Sequence, residues 1–302
     1  MKQLFWMFAV ALIFMGCKTT VPTTSTAQNA APKIENSLLW EIKGQNLEKP
    51  SYLFGTIHII GKEDFELTEP TVKAFNESER VAFEIDLEEM MDVSAMMPLM
   101  MKAFMKNDTT LQDLLSDKDY EKVNNHFQKL GIPLVFLERL KPMFLSMMAS
   151  EDISNGQMND NIVSYEMELM KKANEQNKEI EGLETAEFQM SMFDSIPYKI
   201  QADMLVKAIE SGGAGSETDF KEMVDLYKKQ DIAAMQKLMQ DDASIGQYEE
   251  LLLVNRNKNW IPVMGEMMQK YSMFFAVGAG HLGGQQGVVN LLRQAGYSVK
   301  PL

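Results

Sequence analysis

The apolar residues of this chain fall into two α/β segments that are separated by a long helical region. Two strand-like runs, LLWEIKG (38–44) and SYLFGTIH (51–58), are joined by QNLEKP and predict a hairpin. Thr68 then predicts a helix N-cap, with Pro70 early in the first turn. The apolar run VAFEID (81–86) follows. A strand, a helix and a strand in this order predict a βαβ unit with parallel strands.

The C-terminal end of the chain repeats this order of elements. MFFAVGAGH (273–281) predicts a strand, VVNLLRQA (288–295) a helix and YSVKP (297–301) a second strand. We therefore predict two pseudo-symmetric βαβ units, each with a G-x-x-H motif at the end of its first strand. The motif histidines are His58 and His281, two of only three in the chain. In an open α/β sheet, ligands bind at that edge.

A helical region from about residue 88 to residue 265 separates the two units. Its start, EEMMDVSAMMPLMMKAFM (88–105), is rich in Met. We favour an amphipathic helix whose Met side chains fill gaps in the core, and a groove for an apolar ligand is the alternative. NKEIEGLET (177–185) predicts a strand that joins the sheet. The predicted fold class is α/β, with a central mixed sheet and a large helical insertion.

The N-terminal residues have the features of a secretion signal. An apolar run from Leu4 to Met15 follows the positive charge of Lys2, and it is too short to span a bilayer. Cys17, the only cysteine, stands directly after this segment, as in a bacterial lipoprotein signal, where the cysteine is acylated.

The domain organisation follows from this signal. We predict a signal peptide over residues 1–16, a lipidated Cys17 with a disordered tether over 17–35, and a single domain over 36–302. The protein would then be anchored by lipid in the bacterial cell envelope, on the periplasmic or extracellular face.

Composition excludes several classes of function. The net charge of −14 disfavours binding to a phosphate backbone, so we expect no nucleic-acid partner. A single cysteine leaves the mature domain without an internal disulfide or a thiol nucleophile. The chain also lacks the G-x-S-x-G motif of serine hydrolases.

The two motif histidines and a nearby carboxylate suggest a metal site. His58, His281 and Glu84 would leave one position open on a divalent ion, as in hydrolytic zinc sites, or the histidines would be structural. Asp86 would point to the same face as Glu84 if the strand continues, as an outer group or a second ligand. Glu184 is either a general base or an exposed strand end.

Three further polar residues lie in predicted helices: Arg256, Asn257 and His126. Arg256, which precedes Asn257 in a predicted helix, would stabilise an oxyanion or bind a substrate carboxylate. The alternative is a salt bridge from Arg256 to the acidic edge of the sheet. His126 lies in a polar helix, and we predict no catalytic role for it.

Together the motifs resemble the TraB/GumN family, whose relatives include PrgY and the Tiki proteases. LFGTIH, FEID and VGAGHLGG carry the resemblance, together with EGLETAEFQM and RNKNW, and it spans roughly residues 36–302. It implies a fold shared with erythromycin esterase and ChaN-like proteins and a metal-dependent protease activity that favours manganese or cobalt. The family's motif positions fall on these residues: His58, Glu84, Glu184, Arg256, Asn257 and His281.

The first functional hypothesis is a metal-dependent hydrolase, a peptidase acting on a secreted or envelope peptide with Mn, Co or Zn. One alternative is a non-catalytic binder that sequesters a peptide. Another is a lipoprotein that carries a metal or a metal complex. Binding of a divalent ion to the purified protein would separate the sequestering binder from the other two.

Overall fold

The structure is a computed structural model that describes residues 34–88, 92–149, 153–154, 157–158, 161–210, 217–241 and 246–302. The predicted signal peptide, the lipidated Cys17 and almost all of the tether lie outside the described residues. Two residues of the predicted tether contact the folded domain. Ile34 is buried in the core, and Glu35 forms a salt bridge with Arg293. Among the described residues, no helix is both long enough and apolar enough to cross a membrane.

The strands form a mixed sheet and two short ribbons. In chain order, the described strands are β1 (Leu39–Lys43), β2 (Ser51–Thr56), β3 (Ile60–Gly61), β4 (Arg80–Phe83), β5 (Ile153–Ser154), β6 (Gln157–Met158), β7 (Ile162–Val163), β8 (Ile180–Gly182), β9 (Met273–Gly278) and β10 (Ser298–Pro301). The central sheet has the order β10-β1-β2-β9-β4-β8. Strand β1 is antiparallel to both of its neighbours, whereas β2, β9, β4 and β8 are parallel.

Twelve α-helices are described. They are α1 (Glu69–Glu77), α2 (Val93–Lys102), α3 (Leu111–Leu114), α4 (Asp117–Lys129), α5 (Pro142–Met148), α6 (Tyr165–Glu175), α7 (Ala186–Met192), α8 (Tyr198–Glu210), α9 (Glu217–Lys228), α10 (Ile232–Asp241), α11 (Asn255–Met268) and α12 (Val288–Gln294). A π-helical turn, Glu250–Val254, leads directly into α11.

The structure confirms the mixed α/β class and the hairpin of β1 and β2, and it revises the βαβ units. Thr68 caps α1 as predicted, because its hydroxyl accepts a hydrogen bond from the Thr71 N–H. Strands β2 and β4 run parallel, but β9 lies between them, and β10 lies beyond β1. Neither predicted unit therefore pairs its own two strands. The apolar, almost fully buried β9 takes the centre of the sheet instead, as expected of a parallel strand that is covered on both faces.

Two apolar cores support the fold. The larger one surrounds the sheet and includes the buried rings of Trp40, Phe75, Phe274 and Phe275. The second lies among helices of the insertion; its largest fully buried members are Leu111, Val123, Phe127, Leu145 and Leu205. The insertion therefore brings its own small core.

The Met-rich helix α2 departs from the expected core helix. Met97, Met100 and Met101 are 59%, 53% and 70% exposed, while Leu99 is buried. Local sequence could not show this, because Met suits a core and an exposed adaptable surface equally well.

An ion pair stabilises the helical insertion. The Lys141 side chain is 1% exposed, and its Nζ lies 2.5 Å from Asp194 Oδ1. Lys106 is a second, exposed partner at 2.8 Å. Partial burial alone would raise the pKa of Asp194, but the hydrogen bonds from Lys106 and Lys141 outweigh it and hold the pKa below 3.8.

Asp194→Asn is expected to lower the free energy of unfolding by about 2–3 kcal/mol at neutral pH, because it leaves the Lys141 charge buried without its anion. Since the folded-state pKa of Asp194 is depressed, its stabilisation is present above pH 3.8 and disappears as pH falls through the folded pKa. Urea unfolding at neutral and acid pH measures both effects. Lys106→Gln is the matched control, with a much smaller loss; equal losses in the two variants would contradict the role of Lys141.

Candidate functional site

Four neighbouring parallel strands each deliver a polar side chain to the same edge of the sheet. His58 lies two residues beyond β2, and Glu84 follows β4 directly. Glu184 lies two residues beyond β8, and His281 three beyond β9. Because the strands run in the same direction, their carboxyl ends meet at one edge. The structure thus brings together four residues that the sequence places up to 223 positions apart.

Gly278, the last residue of β9, marks the point where three of these side chains converge. A Cβ atom built on it would lie 3.3 Å from Glu84 Oε1, 3.6 Å from His281 Cδ2 and 3.8 Å from His58 Nε2. The Gly278 N–H also donates a 2.9 Å hydrogen bond to Glu84 Oε1. Gly55 allows a second close approach, since a Cβ there would lie 2.5 Å from Leu282 Cδ1.

His58 is held by Glu166, at the start of α6. Its Nδ1 lies 2.8 Å from Glu166 Oε1, which also accepts from the Thr56 hydroxyl at 2.6 Å. The other oxygen, Oε2, accepts from the Ser164 hydroxyl at 2.9 Å. The hydrogen bond that His58 donates to the Glu166 carboxylate raises the pKa of His58 to about 9. The ring is 70% exposed, so its Nε2 side is accessible to a ligand.

His281 is buried and has a defined tautomer. Asn257 Nδ2 donates to the Gln286 carbonyl at 2.8 Å, so Asn257 Oδ1 faces His281 Nδ1 at 2.6 Å. An amide oxygen only accepts, so Nδ1 carries the proton and Nε2 carries the lone pair. Burial lowers the pKa of His281 to about 3, which keeps the ring neutral.

Arg256, in the first turn of α11, lies between the carboxylates and His281. Its Nη2 pairs with Glu84 Oε2 and lies 2.7 Å from Glu184 Oε1, and its Nε donates to Glu184 Oε1 at 2.9 Å. Its Nη1 lies 3.1 Å from the Leu252 carbonyl and 3.1 Å from His281 Nε2. Arg256 therefore makes the salt bridge to the acidic sheet edge that was the alternative interpretation.

The bonds of Glu184 favour an anchoring role over that of a general base. Its side chain is 6% exposed. Besides Arg256, it accepts from Gln189 Nε2 at 3.2 Å and from Trp260 Nε1 at 3.0 Å. The Trp260 ring packs against His281, with the ring centroids 4.5 Å apart and the planes tilted by 40°. Glu184 thus links α7 and α11 and fixes the position of the guanidinium.

Glu84 is ionised at neutral pH although it is almost completely buried. Burial alone would raise its pKa, but the charges of Arg256 and His58 and the hydrogen bond from the Gly278 N–H outweigh it and hold the pKa well below its usual range. Gln189 Nε2 donates a hydrogen bond to Glu84 Oε2 at 3.3 Å. The carboxylate is therefore a charged group held in a fixed position.

A cleft of about 260 Å³ opens beside His58 and Glu84. Its wall combines the polar residues of the site with four apolar side chains, Phe83, Ile85, Leu87 and Met167. Glu166 and Gln189 also line it. The cleft is large enough for one side chain and the adjoining backbone of a peptide.

Asp86 and His126 are the other two residues for which the sequence made a prediction. Strand β4 ends at Phe83, so the alternation that would place Asp86 on the face of Glu84 does not apply, and Asp86 Oδ1 accepts from the Glu88 N–H instead. His126 lies in α4, where its Nε2 is 2.7 Å from the Ala149 carbonyl.

Sequence reasoning missed the roles of Glu166, Gln189 and Trp260. Glu166 follows the helix cap Ser164, where an acidic residue usually needs no other explanation than the helix dipole. Gln189 and Trp260 lie inside helices and carry no local signal. Only the assembled sheet shows that all three face its carboxyl edge.

The donor set fits a divalent ion in type and orientation. Both histidines have Nδ1 fixed by an acceptor, which directs Nε2 inward, as second-shell partners of metal-binding histidines do. His281 Nε2 and Glu84 Oε1 are 3.6 Å apart, near the ~3.4 Å that separates two ligand atoms of a tetrahedral ion.

The side chains as they stand do not form a metal site. Among the residues that the structure describes, no three or more His, Cys, Asp and Glu side chains already converge as metal ligands do. The Nε2 atom of His281 is taken by Arg256 Nη1. Metal binding therefore requires the guanidinium to release that nitrogen.

The fold and the site define an α/β protein with a His, Glu and Arg site at the carboxyl edge of a mixed sheet. The model of the TraB/PrgY/gumN family matches residues 38–301, and the chain belongs to this family.

The chain is similar to curated relatives that are named metalloproteases. It is 22% identical to Metalloprotease TIKI1 of Danio rerio, over 94% of this chain and 65% of the relative. It is 23% identical to Metalloprotease TIKI2 of Danio rerio (98% and 67%) and to Metalloprotease TIKI1 of Homo sapiens (88% and 62%). The chain thus spans about two thirds of the length of these relatives. No solved structure matches it.

Proposed function

We propose that this protein is a metal-dependent hydrolase that cleaves peptides. The observation that carries the proposal is the convergence of His58, Glu84 and His281 on Gly278, at the carboxyl ends of three adjacent parallel strands. The names of the relatives support it, since each is called a metalloprotease. In this proposal His58, Glu84 and His281 hold a divalent ion, which is Mn, Co or Zn.

The ion would supply Lewis-acid polarisation of a carbonyl group and activation of water. Residues of the chain position the ligands and the substrate. Glu166 and Asn257 fix the two imidazole rings, and Glu184 orients Arg256. Arg256 places positive charge where a carbonyl oxygen of the substrate becomes negative. The apolar wall of the cleft accommodates a substrate side chain next to the scissile bond.

The proposal includes the location. Lipidation of Cys17 would anchor the domain in the cell envelope, where a secreted or envelope peptide is the substrate. Labelling with a fatty-acid analogue tests this part. We expect label on the wild type and none on Cys17→Ser.

A cleavage screen tests the activity. The full chain is purified in detergent, stripped with a chelator and incubated with a peptide mixture and Mn²⁺, Co²⁺ or Zn²⁺. We expect cleavage, detected by mass spectrometry, that depends on the ion. Ion binding without cleavage would favour a metal carrier, and peptide binding without an ion would favour a sequestering protein.

Glu166→Gln is expected to weaken Mn²⁺ binding by about 10–100-fold, because the amide no longer holds His58 as a carboxylate does. Calorimetric titration of the chelator-treated protein measures this effect. Glu168→Gln, on the same helix, is the matched control with unchanged affinity. An unchanged affinity in Glu166→Gln would remove Glu166 from the site.

A further inference from the structure

The guanidinium of Arg256 contacts two of the three proposed ligand residues, Glu84 and His281. It contacts Glu84 Oε2, Glu184 Oε1 and His281 Nε2 at the same time. We propose that Arg256 is an internal cation that competes with the metal ion for Glu84 and His281. This inference rests on the proposed function, because it assumes that these two residues are ligands.

The first argument is the lone pair of His281. Asn257 fixes the proton on Nδ1, so Nε2 has one lone pair and Arg256 Nη1 lies 3.1 Å from it. A nitrogen with one lone pair accepts from Arg256 or binds a metal ion, but not both. The two states therefore exclude each other at this atom.

The second argument is the charge of the buried site. Glu84 and Glu184 are 12% and 6% exposed, and Arg256 is the cation that pairs with both. A buried carboxylate without a cation is strongly destabilising. Arg256 thus keeps the site folded without metal, and a divalent ion can replace its charge at Glu84.

The third argument is that Arg256 has acceptors other than Glu84 and His281. Its Nε and Nη2 both contact Glu184, and Nη1 also contacts the Leu252 carbonyl, so it can leave His281 and Glu84 while it stays bound to Glu184. It lies two residues after the π-helical turn Glu250–Val254, and such turns often accompany functional sites.

Mn²⁺ titration of the chelator-treated full chain tests the competition in wild type, Arg256→Lys, His281→Ala and Arg80→Lys. Lys keeps the charge but lacks the planar fork that contacts three acceptors at once. Arg256→Lys is expected to bind Mn²⁺ about tenfold more tightly, the effect of removing one charge-assisted hydrogen bond from the competitor. Arg80→Lys, at the opposite end of β4, is expected to bind as wild type does. Adding His281→Ala to Arg256→Lys should abolish the gain.

The outcomes separate this inference from the proposed function. Unchanged or weaker affinity in Arg256→Lys, with binding lost in His281→Ala, would overturn the competition and leave the metal site standing. No binding in any variant would overturn both. If Arg256→Lys does not fold, Zn²⁺ titration of the wild type decides: the side-chain NMR signals of Arg256 must shift with the same affinity as those of His281. Static Arg256 signals would overturn the inference.

Discussion

Replacing His58 by alanine is expected to lower ion-dependent peptide cleavage by at least about a hundredfold, because it removes one of three proposed ligands and the side chain nearest the cleft. The free energy of unfolding should stay within about 0.5 kcal/mol of the wild type, since the ring is 70% exposed and fills no core space. Cleavage rates, Mn²⁺ affinity and urea unfolding measured on one preparation separate a lost site from a lost fold.

His126→Gln is the control for this variant. His126 lies in α4 and bonds the Ala149 carbonyl, so its replacement should leave cleavage and Mn²⁺ affinity unchanged. Full activity of the His58→Ala variant would exclude His58 from the chemistry and with it the proposed ligand set.

The second large effect is expected for Glu84→Gln, which keeps the shape of the side chain and removes its charge. Arg256 then retains Glu184 but loses a buried anionic partner, and the new amide cannot accept from the Gly278 N–H and the Arg256 N–H groups as both carboxylate oxygens do. We expect a loss of about 2–3 kcal/mol in the free energy of unfolding. Mn²⁺ binding and cleavage should fall below detection.

Glu181→Gln is the matched control, because Glu181 of β8 pairs with Arg80 of β4 and its side chain is 30% exposed. A partly exposed pair contributes little, so the loss should stay below about 1 kcal/mol with normal Mn²⁺ binding. If Glu84→Gln is as stable as Glu181→Gln, the buried charge pair with Arg256 does not support the fold.

The proposed competition gives Arg256 two roles. A guanidinium between two carboxylates is usually structural, and Arg256 has this structural role as long as no ion is bound. The same contacts would set the affinity for the ion, because the contacts of Arg256 with His281 and Glu84 must be exchanged. We therefore expect the proposed site to stay folded after chelation and to bind a divalent ion only when the ion concentration is high enough to displace Arg256.

Local sequence was sufficient for the strands that carry the site. Apolar runs identify β2, β4 and β9, because strands that are buried on both faces need continuous apolar sequence. A polar residue just beyond such a run is visible without a structure, and His58, Glu84 and His281 were found in this way.

Local sequence was not sufficient for strand order. The predicted βαβ units paired strands that are neighbours along the chain, but β9 inserts between β2 and β4. This insertion is what places His281 beside both His58 and Glu84. Pairing between residues some two hundred positions apart leaves no local signal, because the hydrogen bonds of a strand are the same with any partner.

The fold class, the family and the residues at the ends of the apolar strands can be predicted from local sequence, because burial and periodicity are local properties of a segment. The contacts of those residues depend on the tertiary structure. It placed Glu166 on His58 and Asn257 on His281, and it put Arg256 between Glu84 and Glu184. These contacts join strands and helices distant in sequence, and they exist only when the parallel strands bring their carboxyl ends to one edge.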